Sequence, residues 1–349
     1  MIPSNHNKVL SQKDGILLVN LGTPDSTKWF DIRKYLKEFL SDRRVIEVNP
    51  VIWQLILNLF ILTFRPSKTA KAYKKIWMKE ENMSPLRYYT EKQALKIAKR
   101  IQTKNTKVTY AMRYGNPSIK SRIEYLQKQG CERLLVLPLY PQYAAPTTAT
   151  VCDEVYRSLM KMRWQPSLKI IPHYESHPMY IKALVESIKK KLKETTWKPD
   201  TIIASYHGVP QKYFEKGDPY HCYCHKTTRL IKEEAKIEIP IITTFQSRFG
   251  PDKWLEPYTD KTLEELPKEG KKKIFIICPG FASDCVETLE EIAIEGKESF
   301  LESGGEKFES IPCLNDQKKL IFIDNRTEEY SLSDNNQKKK MTKFCWGIS

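Results

Sequence analysis

The chain has 349 residues, of which 40% are hydrophobic, and carries a formal net charge of +16. That length leaves room for two domains with cores of their own, and apolar runs alternating with helical patterns read as globular α/β. The basic balance does not mark a nucleic-acid binder, because the lysines come in short clusters such as Lys189-Lys190-Lys191 and Lys271-Lys272-Lys273 without zinc-finger spacing or an RNP-like signature; an anionic membrane face or an acidic small molecule suits it better.

The opening residues, MIPSNHNKVLSQKDG, are polar and lack the apolar core of an export signal, so residues 1–13 read as a disordered tail. Eight cysteines at irregular spacing, with no export signal, indicate free thiols, a reducing compartment and a cytoplasmic protein. Strand-like runs follow at Gly15–Asn20, Lys107–Met112, Arg133–Leu137, Leu168–Pro172, Thr201–Tyr206, Ile239–Phe245 and Lys273–Cys278. Helical patterns lie between most of them, which predicts βαβ units and largely parallel sheets. Between the first two runs lies Val51–Phe64, VIWQLILNLFILTF, too short to span a bilayer. Gln54 and Asn58 share one face of it, and Arg65, Lys68 and Lys71 follow directly. An apolar lip over a pocket, able to dip into a lipid surface, explains this pattern as well as a plain core helix does.

The two halves echo each other. TYAMRYGNP (Thr109–Pro117), Gly130 and LLVLPLYPQ (Leu134–Gln142) recur in order as TTFQSRFGP (Thr243–Pro251), Gly270 and IFIICPGF (Ile274–Phe281). LLVNLGTP (Leu17–Pro24) likewise resembles IIASYHGVP (Ile202–Pro210). An internal duplication follows, with two similar α/β domains facing each other across a cleft lined by the C-terminal ends of their strands. The expected boundary lies near Lys161–Gln165, giving domains over 14–163 and 164–303 and a segment 304–349 that returns to the first. Neither half has a dinucleotide G-x-G-x-x-G or a Walker A loop, so nucleotide chemistry is not expected.

His207 stands at a strand end in SYHGVP, where a tight turn aims an imidazole into the cleft. His221-Cys222-Tyr223-Cys224-His225 has the residue types of a metal cluster but too tight a spacing for structural zinc, and reads by default as loop residues before a helix at Lys226–Ala235. Ile274–Glu295 runs from an apolar strand through a Pro-Gly turn into a helix carrying Glu287, Glu291 and Glu295. Positions four apart drift only ~40° around an α-helix, so the three acids form a row, either a solvated face or a path for cations or protons. Imidazole and carboxylate together suit Fe(II).

These segments resemble the ferrochelatase family, whose members insert ferrous iron into a porphyrin at the end of haem synthesis. The likeness runs from about Gly15 to Asp316 and includes GILLVNLGTPD, MSPLRYYT, YGNPSI, LPLYPQY, SYHGVPQKYFEKGDPYHC, TFQSRFGPDKWLEPYTD and CPGFASDCVETLEEI. It implies two Rossmann-like domains around a deep porphyrin cleft. His207 and Glu287 become the metal and proton-transfer pair, with Glu291 and Glu295 continuing an acidic row to the surface. Leu21, Tyr114, Trp254 and Phe281 match positions that meet the ring, and Tyr73, Ser84 and Arg113 match positions that hold the substrate's propionates. The implied reaction takes Fe(II) and protoporphyrin as substrates and needs no cofactor. The implied protein is a monomer or weak dimer, with Val51–Phe64 guarding the mouth and touching the inner membrane surface.

Two departures from the family pattern stand out. Cys285 follows Asp284 where several relatives carry histidine. Relatives with a [2Fe-2S] cluster use a cysteine in the stretch matching Tyr143–Thr148 plus a distal cysteine group; here that stretch is YAAPTT and the tail has only Cys345, so no such cluster is expected. Gln317–Ser349 is rich in Lys, Asn, Asp and Ser without periodicity, a composition that favours disorder. Rival readings are a coproporphyrin or cobalt chelatase of the same architecture, and a haem- or metal-carrying protein, which would retain haem without turnover.

Overall fold

The computed structural model describes residues 13–101 and 104–317. Most of the expected N-terminal tail and residues 318–349, with Cys345, lie outside the described residues. Eight strands alternate with helices: β1 (Lys13–Thr23), α1 (Trp29–Leu40), α2 (Pro50–Ile56), α3 (Leu62–Ile76), α4 (Pro85–Ile101), β2 (Thr106–Gly115), α5 (Ile119–Lys128), β3 (Cys131–Pro138), α6 (Thr150–Met160), β4 (Ser167–Ile170), α7 (Pro178–Glu194), β5 (Thr201–His207), α8 (Gln211–Glu215), α9 (Tyr220–Ala235), β6 (Ile241–Gln246), α10 (Thr259–Glu265), β7 (Lys273–Ile277), α11 (Lys297–Glu302) and β8 (Lys307–Ile311). Three π-helical stretches, Leu57–Ile61, Ala145–Ala149 and Glu287–Gly296, complete the order.

The strands form two four-stranded sheets of order β2-β1-β3-β4 and β6-β5-β7-β8, all pairs parallel. The orders are the same, which is the duplication written as topology. The echoed segments occupy equivalent places: β1 and β5 second in their sheets, β3 and β7 third. Parallel strands are buried on both faces, and the cores show it. Ile16, Leu18, Ile202, Ala204 and Tyr206 join one core shared by both halves, together with residues of α4, α7 and α9. Leu17 and Val19 face a separate core of the first half, and Ile203 and Ile276 one of the second.

The structure moves several expected boundaries. β4 pairs with β3, so the first sheet extends past Lys161–Gln165. β8 was passed over in the sequence and falls in the segment expected to return to the first half; it pairs with β7 instead. The return begins just after it, where Gln93 of α4 donates to the Asn315 carbonyl at 2.8 Å. The helix carrying His221 begins at Tyr220, so those thiols and imidazoles lie on its first turns and not in a loop. Val51–Phe64 is not a core helix. Val51, Leu59, Phe60 and Phe64 are 73%, 62%, 61% and 72% exposed, while Leu57 and Leu62 anchor the segment against Ile32, Tyr35 and Tyr73. No helix among the described residues is long and apolar enough to cross a membrane.

Gly22 shows how closely the first sheet is fitted at the cleft. It pairs with Tyr114 across β1 and β2, its φ is +119°, and a Cβ there would lie 1.8 Å from the Tyr114 carbonyl oxygen. Gly22→Ala is expected to destabilise the fold by at least ~2 kcal/mol, read as a lower urea midpoint at unchanged slope.

Candidate active site

β5 delivers His207 as its last residue, in register with Gln246 of β6. The chain then turns at Gly208, where a Cβ would meet the Gln246 carbonyl at 2.9 Å and the Trp254 ring at 3.1 Å. A residue without a side chain is therefore needed for Trp254 to lie against the turn. The His207 Nδ1 sits 2.6 Å from the Gly208 carbonyl oxygen. A carbonyl only accepts, so Nδ1 carries the hydrogen, and Nε2 has a lone pair whenever the ring is neutral.

Gln246 joins this strand end to the acidic helix. Its Nε2 donates to the Glu287 carbonyl at 2.9 Å, and its Oε1 accepts from Ser205 Oγ at 2.7 Å. Ser205 in turn meets Thr259 Oγ1 at 2.9 Å, which meets Thr244 Oγ1 at 2.8 Å. This buried polar chain leaves the head of the helix little freedom to shift. The next residue, Ser247, has φ +67°, and its hydroxyl donates to the Glu291 carboxylate.

The helix is not the α-helix expected. Glu287–Gly296 is π-helical over its full length, with about 4.4 residues per turn, so acids four apart lag by roughly 30° where an α-helix would advance them. The row survives with its drift reversed. Glu287 and Glu291 are half-buried and Glu295 is exposed, so the row runs from the interior to the surface. Burial pushes the Glu291 carboxyl up; the Ser247 hydrogen bond and the His207 charge work against that, and Glu287 adds to it. Glu291 thus senses both His207 and Glu287. Glu290 belongs to another face, paired with Lys75 of α3 at 2.7 Å.

The first half supplies the facing wall. Tyr73 of α3 is buried against Tyr35, ring centroids 6.5 Å apart. Burial pushes its phenol up and the Glu287 charge adds to this, placing Tyr73 beside the acidic row. Leu21 is half-buried near the end of β1 and packs with the cluster under the lip. Trp254 and Phe281 are half-buried on the second half. Tyr114 is fully buried beneath this wall, its hydroxyl donating to Asp42 at 2.9 Å. Ser84 is buried and caps α4, its Oγ accepting from the Arg87 amide at 3.3 Å.

Arg113 is not a free cation. Its guanidinium is 9% exposed and pairs with Asp42, while its Nε donates to Thr150 at 3.0 Å to the carbonyl and 2.7 Å to the hydroxyl. A propionate would have to displace Asp42. Arg65 on α3 differs: among the described residues its buried Nη1 has no hydrogen-bond partner. Its guanidinium lies 4.5 Å from the centroid of Phe249, a residue of the other half. The sequence places Arg65 only as positive charge after the lip. The absence of an acid within one turn does not single it out in the sequence, since Arg100, Arg113 and Arg163 share it.

Among the described residues no three of His, Cys, Asp and Glu group closely enough to hold a metal ion. Asp284, beside Cys285, is held by Asn315 Nδ2 at 2.6 Å and the Cys313 amide at 3.2 Å. The thiol of Cys285 is buried and pushed up by burial, then by Glu287. Farther out, burial pushes the imidazoles of His221 and His225 down.

A family model described as Ferrochelatase matches residues 13–324. Curated proteins named Ferrochelatase are similar over most of the chain. That of Rhizobium etli is 55% identical, covering 90% of this chain and 92% of its own length. That of Rhizobium meliloti is 56% identical (92% and 95%), and that of Francisella tularensis subsp. novicida 54% (88% and 93%). Among solved structures, SirB from Bacillus subtilis with Fe3+ shares the fold at TM-score 0.55 and 14% identity, covering 93% of this chain and 98% of that one.

The Asp42–Arg113 pair gives the wall a pH dependence. Burial tends to raise the Asp42 carboxyl, but hydrogen bonds from Thr150 and the Arg44 amide and the Arg113 charge bring it below its ordinary value. A depressed carboxyl stabilises the fold above its unfolded pKa and loses that contribution as pH falls through the folded value. Asp42→Asn is expected to cost about 2 kcal/mol near neutrality by leaving Arg113 without its anion. In urea titrations across pH, the gap to the parent should be flat from pH 6 to 8 and close below pH ~4.

Proposed function

This chain belongs to the ferrochelatase family, and we propose that His207 and Glu287 carry its exchange of two pyrrole protons for one ferrous ion. It is an iron-inserting enzyme acting on a porphyrin. A free porphyrin is flat, holds two N–H protons and presents its lone pairs poorly to an ion approaching one face. Insertion therefore needs an out-of-plane ring, a base, and donors that replace the water around Fe(II). Leu21, Trp254 and Phe281 offer apolar surface to a ring, and binding energy spread over its faces can drive the distortion. The observation that carries the reading is the junction at Gln246: it ends β6 beside His207, whose Nδ1 is turned to the Gly208 carbonyl, and it holds the backbone of Glu287 at the head of the acidic helix. His207 and Glu287 act as bases and transient ligands. Glu291 and Glu295 continue the row to solvent, through which ions enter and protons leave. No electrons are transferred in this exchange, so it requires no resident redox cofactor.

The substrate in this reading is protoporphyrin, with two propionates. Arg65 is the cation we assign to a propionate, because its Nη1 is buried and without a hydrogen-bond partner, and a carboxylate would supply the missing acceptor. The apolar mouth favours two acidic groups over the four of coproporphyrin. Its exposed Val51, Leu59, Phe60 and Phe64, followed by exposed Lys68 and Lys71, also match the pattern of a segment that rests on an anionic bilayer surface.

In zinc- or iron-insertion assays, His207→Ala and Glu287→Gln should each lower turnover at least ~100-fold while circular dichroism stays unchanged; near-normal turnover in either removes that residue from the mechanism. Arg65→Met should raise KM for protoporphyrin about 10-fold and spare kcat, as expected for a lost charge-assisted contact. The membrane reading is checked by co-sedimentation with phosphatidylglycerol-containing vesicles. Binding should fall in a Leu59→Ser, Phe60→Ser, Phe64→Ser variant, and equal binding by both proteins would reject it.

A further inference from the structure

Two histidines on the first turns of α9 take no part in the chemistry above. His221 and His225 are one turn apart, their ring centroids 4.4 Å from each other and their planes at 50°. Apolar contacts fix the first ring: Phe214 of α8 lies 5.0 Å away and Phe245 of β6 stacks at 5.9 Å. His225 also leans on Phe245 at 6.1 Å. Among the described residues neither imidazole has a hydrogen-bond partner, although His225 is exposed and His221 half-buried. An imidazole with its ordinary pKa near 6.5 is mostly neutral above pH 7. Each ring then offers a lone pair, and the i, i+4 spacing brings the two onto one helical face.

We propose that His221 and His225 form a second site for a divalent transition metal, with solvent in the remaining coordination positions. Two neutral imidazole nitrogens select borderline ions, Cu(II) above Ni(II) and Zn(II), with Fe(II) weaker. No third His, Cys, Asp or Glu among the described residues completes the group, so the ion is exchangeable. Cys222 is exposed on the neighbouring position of the same helix, within reach only if its side chain swings round.

This site is separate from the cleft. Successive strand residues point to opposite faces of a sheet. Phe245 points to α9 and the shared core, whereas the next residue, Gln246, points to the acidic helix. An ion between His221 and His225 therefore lies across the second sheet from His207 and is not the one inserted. It would tie the first two turns of α9 together, and binding the folded state alone would stabilise it.

The test is calorimetric titration of the full, tag-free chain with Ni(II) and with Zn(II) at pH 7.5. The expected result is a binding event that persists in His207→Ala and weakens in both His225→Gln and His221→Gln. The loss should be at least the ~10-fold that follows removal of an outer-shell partner of a metal-bound histidine. Binding unchanged in the histidine variants, binding abolished by His207→Ala, or no binding by the parent overturns the proposal. If His221→Gln fails to fold, the exposed His225→Gln, checked by circular dichroism, decides alone.

Discussion

One side-chain amide organises the second half of the cleft. Gln246 ends β6 beside His207, and its Nε2 holds the carbonyl of Glu287 while its Oε1 accepts from Ser205. The end of β5 and the head of the acidic helix, far apart in sequence, are thereby joined through a single residue. An apolar side chain here would remove both bonds and leave the Ser205 hydroxyl only its Thr259 partner. Backbone groups hold better than side chains here. The carbonyl of Glu287 is the group that Gln246 tethers, not its carboxylate.

The same region carries locally costly conformations. A π-helix has poorer hydrogen-bond geometry than an α-helix and seldom exceeds one turn, yet this one spans Glu287–Gly296. Ser247 holds a left-handed backbone without being glycine. Both stand at the row of acids, and the helix is stabilised from outside: Thr288 and Ile292 are buried on one side of it, and Lys75 neutralises Glu290 on another. Packing thus offsets a backbone arrangement that the segment would not adopt alone, where like charges one turn apart repel.

The α/β class, seven of the strands and the internal duplication were legible because buried parallel strands appear as apolar runs whatever surrounds them. β8 was not. KFESI alternates and has only two strongly apolar residues, since it sits at a sheet edge with Glu309 paired to Lys191. His207 and Glu287 could be named from strand-end and helix position aided by family likeness. The helix type could not, because i, i+4 acids look alike in α and π geometry. The Arg113 pairing was not legible for a different reason. Its fate depends on Asp42, 71 residues away, and no local pattern announces a pairing of that range. Arg65 is the converse, an arginine whose importance lies in what fails to pair with it.

The charge distribution also explains how a strongly basic chain can attract a cation. A net charge of +16 would repel Fe(II) if the field were uniform, but charges beyond about 8 Å are largely screened at physiological ionic strength. An approaching ion responds to the nearest groups. At the outer end of the row those are Glu295 and Glu298, both exposed. Further in, Glu291 and Glu287 are half-buried, where a lower dielectric strengthens their pull on an ion already committed to the path. On the proposed route the attraction therefore grows inward. Arg65, with its buried Nη1 unpartnered, stands on α3 against Phe249 and not on the acidic helix. The two signs are kept on separate elements, so a porphyrin's carboxylates and the metal need not compete for the same end of the site.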